Sequence, residues 1–406
     1  MKTRPRNPLE DVRGASRLAV EATVAVTELV EALHRRIAEV PVRWSGPAGR
    51  SVDAITGGVY RTVRGVTHAV GGGLDAALGR LAPLVGDIAD TSTRDALVAA
   101  LNGLIGDHLA RTANPLAIDM RFRQNGVALD PIRSVLAAQV PRASSTLIVA
   151  VHGLCMSDLA WSRAGHDHAA ALARDLRGTA VYLHYNSGLH VSQNGRQFAE
   201  ALETLAEAWP TPLTRIIVLG YSMGGLVARS AAHCGGLSGR RWRSRLSAMV
   251  CLATPHQGSS LERRGHDLEL LLDKVPFAAP FARIGRVRSA GITDLGHGSV
   301  LDDDWRDAGP AFHRVSERHP VPLPSDVACY AIAASRSASV SGEGRGMRGD
   351  GLVSVASALG WHRDPRRALD FPAANRWIAT STGHLDLLSS ALAYERLRQW
   401  LAAGPV

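Results

Sequence analysis

The sequence predicts an α/β protein: a mostly parallel sheet with helices on both faces, a lid insertion and an N-terminal helical extension. Three observations predict it. From about residue 115 onward, short β-branched runs alternate with helical patterns, the order of repeated βα units. One run, Arg215-Ile216-Ile217-Val218-Leu219-Gly220, passes directly into Tyr221-Ser222-Met223-Gly224-Gly225 and a helix-like Leu226-Val227-Ala228-Arg229. Residues 257–325 are too long for a loop between such units and read as a lid.

Taken in order, residues 14–39 and 92–111 carry helical periodicity, as in Leu18, Ala22, Val26, Leu29 and Leu33. Between them Gly58, Gly65, Gly72, Gly79 and Gly86 recur every seven residues, with apolar residues on the same period. Such a repeat keeps one helix face against a partner, and its glycines let backbones approach. Two expectations follow for residues 1–113: a helical hairpin packed on the main domain, or a peripheral lipid-surface or oligomerisation element. After Asn114-Pro115 the pattern changes. Ala117–Phe122 and Val127–Leu129 flank Gln124-Asn125-Gly126, a hairpin signal. Strands are expected at 146–151, 179–185, 215–220, 247–252, 327–333 and 375–380, and helices near 159–176, 194–209, 223–234 and 386–402. The chain thus divides into a helical region at 1–113 and an α/β domain at 114–406. Its lid, at about 257–325, mixes a charged helical piece (Leu261–Asp273) with the apolar Val275–Phe281, where Phe277 and Phe281 suit an acyl-chain pocket or ordinary core packing.

Bulk composition narrows the partners. With 406 residues, 46% hydrophobic and 20% charged, the chain has the make-up of a globular protein with a large core. The net charge of +9 is almost all arginine, since lysine occurs only at Lys2 and Lys274. No recognition helix, zinc spacing or aromatic–basic interleaving accompanies it, so nucleic acid is not an expected partner. The four cysteines form no CxxC pair, and Cys251 and Cys329 sit in apolar strand patterns as buried thiols. No apolar run approaches ~18 residues and no signal-peptide core follows the basic N-terminus. The expectation is a cytoplasmic protein without a transmembrane segment.

The Gly-x-Ser-x-Gly stretch has the form of a nucleophile elbow, a sharp strand-to-helix turn that exposes one hydroxyl. A serine hydroxyl needs a positioned base, and in a parallel sheet the reacting groups gather at the carboxyl ends of strands. Of sixteen histidines, His384 meets that condition, following Trp377-Ile378-Ala379-Thr380 through a Ser-Thr-Gly turn. An acid must orient its imidazole from another strand end. Asp350 is favoured, between Gly349 and Gly351 after the strand at 327–333. Asp302–Asp304 lie in the lid, Asp326 precedes its strand, and Asp386 is too near His384. Two backbone N–H groups must hold an oxyanion. Met223, directly after the serine, supplies one, and Leu154 in His152-Gly153-Leu154-Cys155 the other, with Cys155 as its rival. His152 is expected to brace that loop, and His256 to be structural or pocket-lining.

Val151-His152-Gly153, Gly220-Tyr221-Ser222-Met223-Gly224, Ala253-Thr254-Pro255-His256-Gln257-Gly258, Asp350-Gly351-Leu352-Val353 and Gly383-His384 together resemble bacterial serine esterases and lipases of the α/β-hydrolase superfamily. Within it they are similar to the triacylglycerol-lipase and GPI-inositol-deacylase-like branch, over residues 115–402. Residues 287–305 also resemble a segment of that group, with no chemistry attached. The resemblance implies an α/β-hydrolase fold, Ser222 as nucleophile, His384 as base, Asp350 as acid, and Met223 with Leu154 as oxyanion donors. It implies hydrolysis of a small-molecule or lipid ester; calcium stabilises some relatives, but no ligand cluster in this sequence compels a metal, and no cofactor is expected. An acyltransferase or a thioesterase would use the same residues.

Overall fold

The computed structural model describes residues 12–17, 92–259, 289–306, 319–340 and 346–402. The glycine heptads, the helical pattern beyond residue 17, Leu261–Asp273 and Val275–Phe281 with Phe277 and Phe281 lie outside these residues. By contact the chain divides into two units, 1–90 with 111–116, and 91–110 with 117–406. In the first, a helical turn at residues 12–17 meets 113–114, where Asn114 donates to the Gly14 carbonyl at 3.1 Å and Arg17 to the Ala113 carbonyl at 3.1 Å.

The second unit holds an eight-stranded sheet. Its elements are α1 (Ser92–Arg111), β1 (Arg121–Gln124), β2 (Val127–Ala128), α2 (Arg133–Gln139), β3 (Thr146–Val151), α3 (His168–Asp175) and β4 (Thr179–His184). There follow α4 (Val191–Ala208), β5 (Arg215–Tyr221), α5 (Met223–Leu237), β6 (Leu246–Leu252), α6 (Ala290–His297), α7 (Asp303–Arg306), β7 (Ala328–Ala334), α8 (Val355–Ala358), β8 (Arg376–Ala379) and α9 (Ala391–Ala402). The strand order is β2-β1-β4-β3-β5-β6-β7-β8. β1 runs antiparallel to β2 and β4, and the remaining pairs are parallel. The hairpin turn is made by Asn125 (φ 52°) and Gly126 (φ 77°), the pair of positive φ values that an Asn-Gly turn supplies.

Alternation along the central strands sorts their side chains onto two cores. Leu147, Val149, Val151, Ile216, Val218, Met249 and Cys251 face one, with residues of α4 and α5. Ile148, Ala150, Ile217, Leu219, Val250 and Leu252 face the other, with Leu172 of α3 and Leu397 of α9. A strand buried on both faces must be apolar throughout, which is why β3, β5 and β6 read as continuous apolar runs.

Three expectations are modified. The helix expected over 159–176 is a 3-10 turn at Asp158–Trp161 and then α3, because Ala164 (φ 49°) and Gly165 (φ 76°) turn the chain between them. Asp167 then caps α3 by accepting from Ala170 N at 2.9 Å. The helix expected from 386 begins as a 3-10 turn at Leu385–Ser389 and becomes α9 only at Ala391. Finally, α1 up to residue 110 belongs with the sheet, whereas the sequence drew the boundary at 113. Ala100 and Leu104 join the α4/α5 core, and Gly103 lies so close to Cys155 that a Cβ would collide with its backbone. Among the described residues no helix is long and apolar enough to cross a membrane.

Candidate active site

Ser222 stands between β5 and α5 with φ 51° and ψ −121°, a strained backbone for a residue with a side chain. The chain around it enforces that turn. Ser222 N donates to the Leu252 carbonyl of β6 at 2.7 Å, and Gly225 N to the Ser222 carbonyl at 3.1 Å. Gly224 is required by its neighbours, since a Cβ there would run into the Val151 and His152 carbonyls. The next residue, Met223, is the first of α5, where N–H groups have no intrahelical acceptor.

β3, beside β5, delivers residues 152–155 to the same edge. Gly153 abuts the serine: a Cβ placed there would be 3.2 Å from Ser222 Cβ. Cys155 N donates to Ser187 Oγ at 3.1 Å, so its N–H is already engaged. His152 is buried, contacts the Gly153 carbonyl through Nδ1 at 2.9 Å and stacks on Tyr185 at 4.3 Å. Burial drives its pKa down to about 3, which keeps the ring neutral. It braces the loop, as the sequence suggested.

The carboxyl ends of β7 and β8 bring Asp350 and His384 together. His384 Nδ1 and Asp350 Oδ2 are 2.7 Å apart, and both side chains are buried. Asp350 Oδ1 accepts from Leu352 N and Val353 N, each at 2.9 Å. The rivals are committed elsewhere: Asp302 to Arg196, Asp326 to Arg243, Asp386 to Gly383 N. The sequence had no signal for the part played by Tyr221. Its hydroxyl donates to the His384 carbonyl at 3.0 Å, with the two rings 5.1 Å apart, so the residue before the serine ties down the histidine loop. Among the described residues no hydrogen bond joins Ser222 Oγ to His384 Nε2. Such contacts are often long without substrate and tighten when it binds.

Beside His384 opens a cleft of about 590 Å³, lined by Arg163, Arg336, Ser381, Gly383, Leu385 and Asp386. His256 lies on another side, buried against Phe371 with ring centroids 5.4 Å apart and 3.4 Å from Arg229. Among the described residues no three His, Cys, Asp or Glu side chains gather as metal ligands.

Residues 146–318 match the family model described as PGAP1-like alpha/beta domain. The chain has the α/β-hydrolase fold. Solved structures similar to this chain include the mature lipase of Bacillus licheniformis, at 19% identity and TM-score 0.40, over 70% of this chain and 97% of that one. Others are an esterase of Pyrobaculum calidifontis (13%, TM-score 0.37, 81% and 95%) and the Staphylococcus hyicus lipase (12%, TM-score 0.34, 64% and 96%). Comparison with curated protein sequences returns no match.

Proposed function

We propose that the chain is a serine-dependent carboxylic ester hydrolase working through an acyl-enzyme on hydrophobic acyl esters. The observation that carries this is the buried His384–Asp350 bond of 2.7 Å at the sheet edge where Ser222 stands on its strained turn. His384 Nε2 takes the Ser222 proton as Oγ attacks the ester carbonyl, and Asp350 holds the imidazole in the right tautomer and stabilises its cation. The oxyanion accepts from Met223 N–H and Leu154 N–H; the engagement of Cys155 N–H by Ser187 favours Leu154 over its neighbour. The intermediate collapses, and the leaving alcohol takes the proton from His384. Water then gives its proton to His384, attacks the acyl-enzyme, and Ser222 leaves with that proton. No cofactor enters. The four cysteines are free thiols, which suits a reducing compartment and so the cytoplasm.

Labelling with a fluorophosphonate tests the reading. One equivalent is incorporated by the folded wild type and none by Ser222→Ala; an unlabelled, folded wild type refutes it. A p-nitrophenyl ester series of rising acyl length then separates lipase from esterase, a maximum at acetyl or butyryl pointing to esterase. Contact of the N-terminal region with a lipid surface is a further part of the proposal, resting on the glycine heptads of its sequence. Loss of vesicle binding without loss of soluble-ester hydrolysis on deleting residues 1–90 supports it, and unchanged vesicle binding counts against it.

A further inference from the structure

A second cavity, of about 300 Å³, lies among α5, the Thr254–Gly258 turn and residues 298–304, 319–322 and 365–369. Arg229, from α5, reaches it while only 6% exposed. Its Nη2 donates to the Val321 carbonyl at 2.7 Å, its Nη1 lies 3.4 Å from His256 Nδ1, and its buried Nε has no hydrogen-bond partner. Arg367 Nε, also lining the cavity, is likewise buried and without a partner. Among the described residues neither guanidinium is paired with a carboxylate. Arg366 is matched by Asp364 at 2.9 Å. The one carboxylate in the wall, Asp304, already accepts from Val300, Leu301 and His319 backbone N–H groups at 2.9 to 3.0 Å.

A buried charge is costly unless it is paired, and burial alone pulls the Arg229 pKa down. Two guanidinium groups from different chain segments, each with a spare donor, converge on a space at the small end of ligand pockets. A planar carboxylate is satisfied by one guanidinium fork, whereas a tetrahedral oxyanion accepts from several directions. We propose that this cavity binds a phosphoryl oxyanion, free or carried on a larger molecule, between Arg229 and Arg367. Arg229 follows Ser222 by seven residues on α5, so the site lies about 10 Å along the helix from the nucleophile. It is thus a site additional to the one at which the ester is cleaved.

Titration calorimetry of the full chain with inorganic phosphate, at constant ionic strength, tests this. One saturable site per chain is expected, weakened about tenfold or more in Arg367→Gln and in Arg229→Gln, since each removes a charge-assisted bond. Arg229 is buried and its variant can fail to fold; Arg367→Gln, at the rim, then carries the test alone. Arg163→Gln, in the His384 cleft, should bind phosphate like the wild type. Absence of saturable binding, or equal affinity in wild type and Arg367→Gln, overturns the proposal and leaves Arg229 as a strut to the Val321 carbonyl. Fluorophosphonate labelling of Arg367→Gln should be unchanged, so this site and the esterase reading can fail separately. Two butyryl esters, with and without a phosphate on the leaving alcohol, distinguish the sources. A lower KM for the phosphorylated ester that disappears in Arg367→Gln identifies a substrate-borne group, and a KM ratio equal in both proteins identifies free phosphate.

Discussion

Asp350 shows how a single side chain is prepared for its place. Two backbone N–H groups of its own loop, from Leu352 and Val353, hold Oδ1, and only Oδ2 is left to meet His384. The carboxylate is therefore oriented locally, and the imidazole is oriented by it. In Asp350→Asn the loop bonds survive while the charge and the required tautomer are lost, so kcat should fall by about 10⁴ with KM little changed. Steady-state hydrolysis of a p-nitrophenyl ester measures it, and a fall below tenfold would move the acid elsewhere. Gly153 is constrained by contact. A Cβ would press on Ser222 Cβ at 3.2 Å and on Met156 Sδ at 3.3 Å, shifting the serine against the N–H groups proposed to hold the oxyanion. Gly153→Ala should keep its melting temperature within a few degrees yet lose up to about 10²-fold in kcat; full activity would show that the loop yields without moving Ser222.

At the scale of elements, the segment that carried resemblance without chemistry finds a structural reason. Asp294 of α6 accepts from Val191 N at 2.8 Å and contacts His190 Nδ1 at 3.1 Å, closing the first turn of α4. Asp302 takes Ser192 Oγ at 2.6 Å, and Trp305 stacks on His190 at 3.9 Å. Residues 289–306 are thus clasped to the start of α4 and form part of the body of the domain. Asp294→Ala should cost about 1–2 kcal/mol in urea denaturation, the range of a lost helix cap; no change would mean that Trp305 alone holds the segment. A buried ionic cluster ties α1 to the sheet on its other side. Arg123 of β1 meets Asp95 at 2.7 Å and Asp158 at 2.9 Å, with Asp158 3.0 Å from His184. Arg123→Met strands two buried carboxylates, and about 3–5 kcal/mol of stability should be lost in the same assay; a loss under 1 would show that the cluster relaxes into water.

At the scale of the whole molecule, buried histidines among the described residues contribute to the response to acid. Burial lowers the pKa of His152 to about 3 and of His168 to about 4, and that of His184 falls too, partly opposed by Asp158. The unfolded chain binds these protons near the usual 6.5 and the folded chain does not. Stability is therefore full above about pH 6.5 and declines steadily on acidification toward pH 4. Melting temperatures from pH 8 to 4 should show this, with a shallower slope in His168→Asn. A profile flat down to pH 4 would contradict it.

The central strands were legible because a strand buried on both faces announces itself residue by residue. The runs at 146–151 and 215–220 appear as β3 and β5 almost to the residue. The places of Ser222, Asp350 and His384 at the carboxyl edge of the sheet were legible because each follows such a run where parallel strands end. Local spacing and turn chemistry carried that much. The rest depends on contacts between residues far apart in the chain, which no local pattern encodes. The break before α3 turns on two positive φ values, and the place of α1 on the approach of Gly103 to Cys155. Ser187 meets Cys155 N–H from 32 residues away, and Arg229 meets Val321 from 92. The sequence by itself determined the sheet and the order along it of the residues proposed to react, through hydrophobic pattern and glycine geometry. Only the tertiary structure decided which N–H groups and charges were already satisfied, because satisfaction depends on what packing brings within 3 Å.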